Sequence, residues 1–100
     1  MNRIALSYVR SPRGLVAVST IRLTERWATA MPKYETLVFA ARRVPGSGTR
    51  KIVFKRPLDG SRYDLYAEAR NGHAALVAKW QGRKPNRSHR VTSLTHWSKP

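Results

Sequence analysis

Cysteine is absent from this chain and acid is scarce, with five Asp and Glu among 100 residues. The first absence removes disulfides and thiolate zinc sites together. It also argues against a small secreted scaffold, which at this length normally depends on covalent staples. Long apolar runs are missing too. The longest apolar-leaning stretch, residues 36–41, is strand-sized and far short of the ~18 residues a spanning helix needs, so no transmembrane segment is expected. A chain this short fits one small domain and buries a modest core.

The shortage of acids also limits catalysis. Glu25, Glu35, Asp59, Asp64 and Glu68 are the only carboxylates. Asp64 and Glu68 would share a strand face or lie one helical turn apart, with Arg62, Arg70 and Lys79 at hand as ion-pair partners. General acid–base work needs a concave pocket, which so small a core scarcely encloses. His73, His89 and His96 match no metal-ligand spacing and are expected on the surface or facing RNA. Pro45-Gly46-Ser47-Gly48-Thr49-Arg50-Lys51 lacks the GxxxxGK[ST] spacing of a nucleotide-hydrolysing loop. Its glycine-exposed N–H groups, beside Arg50 and Lys51, would suit one structural phosphate. Asn86-Arg87-Ser88 is a formal glycosylation triplet that a cysteine-free basic chain without a secretory signal has no use for. No catalytic residue, cofactor, metal or small-molecule substrate is expected.

What the chain has is positive charge. Twenty Lys and Arg give a formal net charge of +15 and a pI of about 11.6, whereas small soluble domains usually carry about 2–8. Such self-repulsion opposes compaction unless a polyanion neutralises it, and RNA does so with release of condensed counterions. Arg outnumbers Lys fourteen to six, and the guanidinium fork suits phosphate oxygens and base faces. The charge is spread evenly: residues 1–34, 35–80 and 81–100 each carry +5. That spread fits a protein embedded among phosphates better than one tethered by a single basic arm.

Residues 1–31 are rich in Arg and hydroxyls and hold one acid, Glu25, the composition of a mitochondrial transit peptide. A helix through residues 2–10 would set Arg3, Ser7 and Arg10 against Ile4, Ala5 and Tyr8. Retained on the chain, the segment would be an uncleaved address that docks, or a basic extension threading through RNA. Pro12-Arg13-Gly14 breaks it, and an extended or irregular stretch should follow.

Residues 32–81 read as a small β-rich domain. Residues 36–44 (TLVFAARRV) are rich in β-formers, and Pro45 to Gly48 supplies a turn. Residues 50–56 alternate, with Ile52 and Phe54 on one face. Pro57 to Gly60 is a second turn, residues 62–69 a third strand, Asn71-Gly72 a type I′ hairpin signal and residues 73–80 a fourth strand. The fold class is therefore mainly β, or small α+β: a three- to four-stranded antiparallel meander with basic, largely irregular N- and C-terminal extensions, one sheet face packed and the other basic. Helical spacing of Tyr34, Leu37, Val38 and Ala41 keeps a helix over 33–43 open, and Ala74 to Ala78 tolerate one over 73–80. Trp80 is expected to close the core. Residues 82–100 form a basic tail without periodicity.

Arg42-Arg43, Arg50-Lys51 and Lys55-Arg56 would gather near one end of a two-stranded ribbon. With Arg83, Lys84, Arg87 and Arg90 of the tail they are the candidate backbone contacts, and Trp97 a candidate for stacking or for insertion into a neighbouring protein. No RNP-like aromatic signature, GXXG clamp or zinc knuckle is present, so recognition should follow shape and charge. The chain carries no family's motifs. In composition and layout alone it is similar to small mitoribosomal proteins. The expected role is a structural, non-catalytic component of a ribosome, foremost that of the mitochondrial matrix. Ribosomal RNA and neighbouring ribosomal proteins would be its partners in a large hetero-oligomeric assembly. The alternative is an accessory subunit of a mitochondrial inner-membrane complex, a respiratory complex or ATP synthase, whose lipid head groups and acidic subunits would meet the cations.

Overall fold

The computed structural model describes residues 2–23 and 33–82. Five strands and a helix follow in chain order: β1 (Asn2–Ser11), β2 (Gly14–Arg22), β3 (Tyr34–Arg43), β4 (Arg50–Ile52), β5 (Asp59–Tyr63) and α1 (Tyr66–Trp80). Every pairing is antiparallel, in the order β1-β2-β3. Beyond β3 the fourth place is shared: β5 pairs with residues 34–38 of β3, and β4 with residues 41–43. The sheet is curled and α1 packs on one face. The mainly β, antiparallel-meander expectation holds, but several elements fall elsewhere than expected.

Residues 2–10 are strand, not helix, and with β2 they bring residues 2–22 into the sheet rather than into an irregular extension. The alternation is hard to see because both faces carry apolar groups. Val9 packs under the helix with Val16, Val18 and Val38, while Leu6 and Tyr8 pack on the opposite face with Ala17 and Phe39. A register shift between Arg3 and Ala5 lets the intervening Ile4 reach the cluster of Tyr34 and Ala69. The break at Pro12 to Gly14 is the β1–β2 hairpin turn. There the Ser11 hydroxyl donates to the Gly14 carbonyl (2.7 Å) and accepts from the Arg13 N–H (3.1 Å), and Gly14 takes a positive φ of 113°.

Residues 34–43 form the strand that their β-formers favoured, not the helix. The alternating segment over 50–56 keeps strand pairing only to Ile52, and the third strand spans 59–63 rather than 62–69. Residues 66–80, read as strand, turn and strand, are one 15-residue helix. Ala69, His73, Leu76 and Val77 are its buried stripe, with Trp80 packed half-buried at the end. The polar His73 in mid-stripe hides the period. Glu68 reaches back to accept from the Leu65 N–H (3.1 Å), half of a capping box. Asn71-Gly72 is no turn: Gly72 sits against Tyr63, where an added Cβ would fall 2.0–2.5 Å from three atoms of that side chain. The glycine thus serves close approach, not positive φ.

Leu76 and Val77 meet Val9, Val16, Val18 and Val38 in the main core, each buried side chain contributing on the order of 1.5–3 kcal/mol. In the middle of this layer lies a polar clasp. His73 Nε2 is 2.8 Å from the Ser7 hydroxyl, Nδ1 is 2.7 Å from the Thr20 hydroxyl, and Thr20 is 2.6 Å from Thr36. One element from each direction contributes: β1, β2, β3 and α1. His73 is 1 % exposed, so it neither lies on the surface nor faces a ligand. Burial lowers its pKa to about 4, and the neutral ring donates through one nitrogen and accepts through the other.

Candidate nucleic-acid interface

The β3–β4 hairpin carries the densest charge. Its turn closes through Val44 N–H to the Thr49 carbonyl (2.9 Å) and Ser47 N–H to the Val44 carbonyl (3.3 Å), with Gly46 and Gly48 at φ 79° and 70°. The Thr49 N–H donates to the Ser47 hydroxyl (3.3 Å). These three N–H groups are taken up inside the turn and are not available to a phosphate. The cations beside the turn do come together. Arg42 lies directly opposite Lys51, and Arg43 opposite Arg50. All four are exposed, and none makes an ion pair with a carboxylate of the described residues. Like charges facing each other across an antiparallel ladder weaken it. This hairpin end therefore presents two consecutive repulsive rungs, one on each sheet face, and an anion on either face would relieve the rung there.

Lys55 and Arg56, exposed in the loop after β4, extend the same side of the chain sequence. Arg83, Lys84, Arg87, Arg90 and Trp97 lie outside the described residues. The described part alone holds fourteen Lys and Arg against four acids. Two of those acids are already engaged, Glu35 with Arg62 (2.7 Å) and Asp59 with Lys79 (2.7 Å). Lys79 and the Trp80 indole N–H (3.0 Å) both donate to Asp59, and the Lys79 bond foremost lowers the carboxyl pKa.

The sheet face away from α1 is not the basic face expected from the sequence. It is apolar at its centre, with Leu6, Tyr8, Ala17, Leu37, Phe39, Ala41 and Ile52 in one cluster, and cationic at its margins. Arg50 leans over the Tyr8 ring, its guanidinium carbon 5.2 Å from the centroid, a cation–π distance. Phe54 crosses Phe39 edge to face at 5.2 Å. Sequence reasoning passed over Tyr8 and Arg10 as surface candidates. The alternation of residues 4–9 was the available signal, masked by apolar groups on both faces.

Among the described residues no three His, Asp or Glu side chains gather to hold a metal ion. The Ser7–His73 contact pairs a hydroxyl with an imidazole, but the ring's other nitrogen meets Thr20 rather than a carboxylate, and both side chains are sealed in the core. It works as a clasp between helix and sheet. No helix of the described residues is long and apolar enough to cross a membrane. No family model, curated protein or solved structure matches the chain.

Proposed function

We propose that this protein is a structural, non-catalytic RNA-binding component of a ribonucleoprotein, foremost a mitochondrial ribosome, held to the RNA backbone by charge. The observation that carries the reading is the pair of like-charged rungs, Arg42 opposite Lys51 and Arg43 opposite Arg50, with no carboxylate of the described residues set against them. A folded domain tolerates such rungs when phosphate oxygens lie between the cations, and the +15 total extends the same demand to the rest of the chain. Residence in the mitochondrial matrix belongs to the proposal through the Arg- and hydroxyl-rich residues 1–31. Since residues 2–22 supply two strands of the sheet, the imported form would keep them.

A salt titration tests the reading. The protein should bind generic RNA with log K falling by about 0.7–0.9 per phosphate engaged for each unit of log[salt]. Replacing Arg42, Arg43, Arg50 and Lys51 together by Ala should flatten that slope by roughly three units. Affinity indifferent to salt, or a preference for cardiolipin vesicles over RNA, would refute it and favour an accessory subunit of an inner-membrane complex.

A further inference from the structure

The sheet face opposite the helix has a regular architecture that the charge-driven reading leaves unused. Five strands lay their side chains across it in rungs. Tyr8, Ala17 and Phe39 are cross-strand neighbours in one rung, Leu6, Ser19 and Leu37 in the next, and Arg3, Ile21, Glu35 and Arg62 in the one after that. Towards the other end come Ala41 opposite Ile52, then Arg43 opposite Arg50. From Glu35 to Arg43 the face runs eight residues along β3, about 27 Å at strand rise.

Its middle rung sets two aromatic rings on either side of a small residue that is itself fully covered. Phe54 then arches in from the loop after β4 and stays 66 % exposed, the most exposed of the large apolar side chains described. Beside it opens a groove of about 470 Å³, lined by Arg3, Ser19, Ile21, Leu37, Phe39 and Phe54 together with Glu35. The floor of this face is mostly covered, with Phe39 at 9 % and Ile52 at 8 % exposed, so the open Phe54 ring beside the groove is the part that a partner reaches.

The rim identifies that partner. Arg3 and Arg10 on β1 and Arg43 and Arg50 at the hairpin surround an aromatic floor, so the occupant has flat apolar faces and negative charge along its edge. Arg50 already stacks on Tyr8 at 5.2 Å, which leaves its outer N–H groups to meet phosphate. A purely apolar protein segment would have to desolvate these guanidinium groups without compensation. We infer that this face binds an unpaired nucleic-acid strand, whose bases stack on the exposed ring of Phe54 and on the Arg50 guanidinium that lies over Tyr8 while its phosphates follow the arginine rim to the β3–β4 hairpin. The inference rests on the proposed function and adds to it the class of nucleic acid: single-stranded, read by stacking and not by base-edge hydrogen bonds.

Fluorescence anisotropy with labelled 12-mers of oligo(U), oligo(dT) and an RNA duplex, using the full chain, tests this. Single strands should bind more tightly than the duplex. Phe54→Ala should weaken single-strand binding about tenfold, leaving duplex affinity and the salt slope in place. Phe54 is largely exposed, so that variant keeps the core. Phe54→Tyr should restore the affinity, because it restores the ring. If Phe54→Ala changes nothing while binding stays steeply salt-dependent, the stacking inference falls and the proposed function stands. If single strands bind but oligo(dT) is strongly preferred over oligo(U), the face is confirmed and the RNA assignment falls. If neither strand binds and sedimentation shows a self-associating chain that Phe54→Ala makes monomeric, the face belongs to a second copy and the inference is overturned.

Discussion

Acidification should destabilise this protein through one side chain above all, His73. Its ring is buried between helix and sheet, held by Ser7 and Thr20, and burial takes its pKa from 6.5 to about 4. The unfolded chain binds a proton there below pH 6.5 and the folded one does not until about pH 4. Stability is therefore complete above pH 6.5 and declines as pH falls through that window. Between pH 7.5 and 4.5 the loss from this group is about 2.5 kcal/mol, a large part of the 5–15 kcal/mol typical of a small domain. Urea unfolding followed by circular dichroism at several pH values measures it. His73→Gln removes the titrating group, so the variant should be less stable at pH 7.5 yet lose far less on acidification. Subtracting the two curves cancels His89, His96 and the general charge repulsion of a basic chain. Parallel curves for the two proteins would show that the ring does not resist protonation, and the clasp would be wrong.

Two further outcomes follow from the packing. Gly72→Ala should destabilise by about 1–2 kcal/mol although Ala is the better helix former by about 1 kcal/mol, because the new Cβ would collide with Tyr63. A thermal melt of that variant that rises would contradict the close approach. Asp59→Asn should cost no more than about 1 kcal/mol at neutral pH, as expected for an exposed ion pair. It should also shift the emission of Trp80, whose indole N–H loses a charged acceptor. The Asp59 carboxylate is held below its ordinary pKa by Lys79. Its contribution is therefore present above pH 4 and lost as pH falls below that, so the variant and wild type should converge in strong acid.

The sheet was legible where alternation was one-sided or turn chemistry explicit. Residues 36–44, the Pro45 to Gly48 turn and the meander itself could all be read from β-formers and glycines. Residues 2–10 and 66–80 could not. In β1 both faces are covered, one by α1 and one by Phe39 and its neighbours, so apolar residues fall at both parities and imitate a helix. In α1 the buried stripe contains His73, and Asn71-Gly72 imitates a hairpin although the glycine is there for the ring of Tyr63. Both differences come from tertiary context: a polar residue satisfied by two distant hydroxyls and a glycine selected by a distant ring leave no local signal. The candidate cations of the hairpin were readable because charge is visible in sequence. That they meet as like-charged rungs depends on the register, and the aromatic face depends on β1 being a strand.

The most direct test of the central claim, that nucleic acid lies against this protein's cations, is ultraviolet cross-linking in the cells that make it, followed by mass spectrometry of the adducts. Nucleotide adducts are expected on peptides spanning residues 42–56 and on the one carrying Tyr8. Recovery of the protein joined only to lipid and polypeptide, with no nucleotide on any of those peptides, would contradict it.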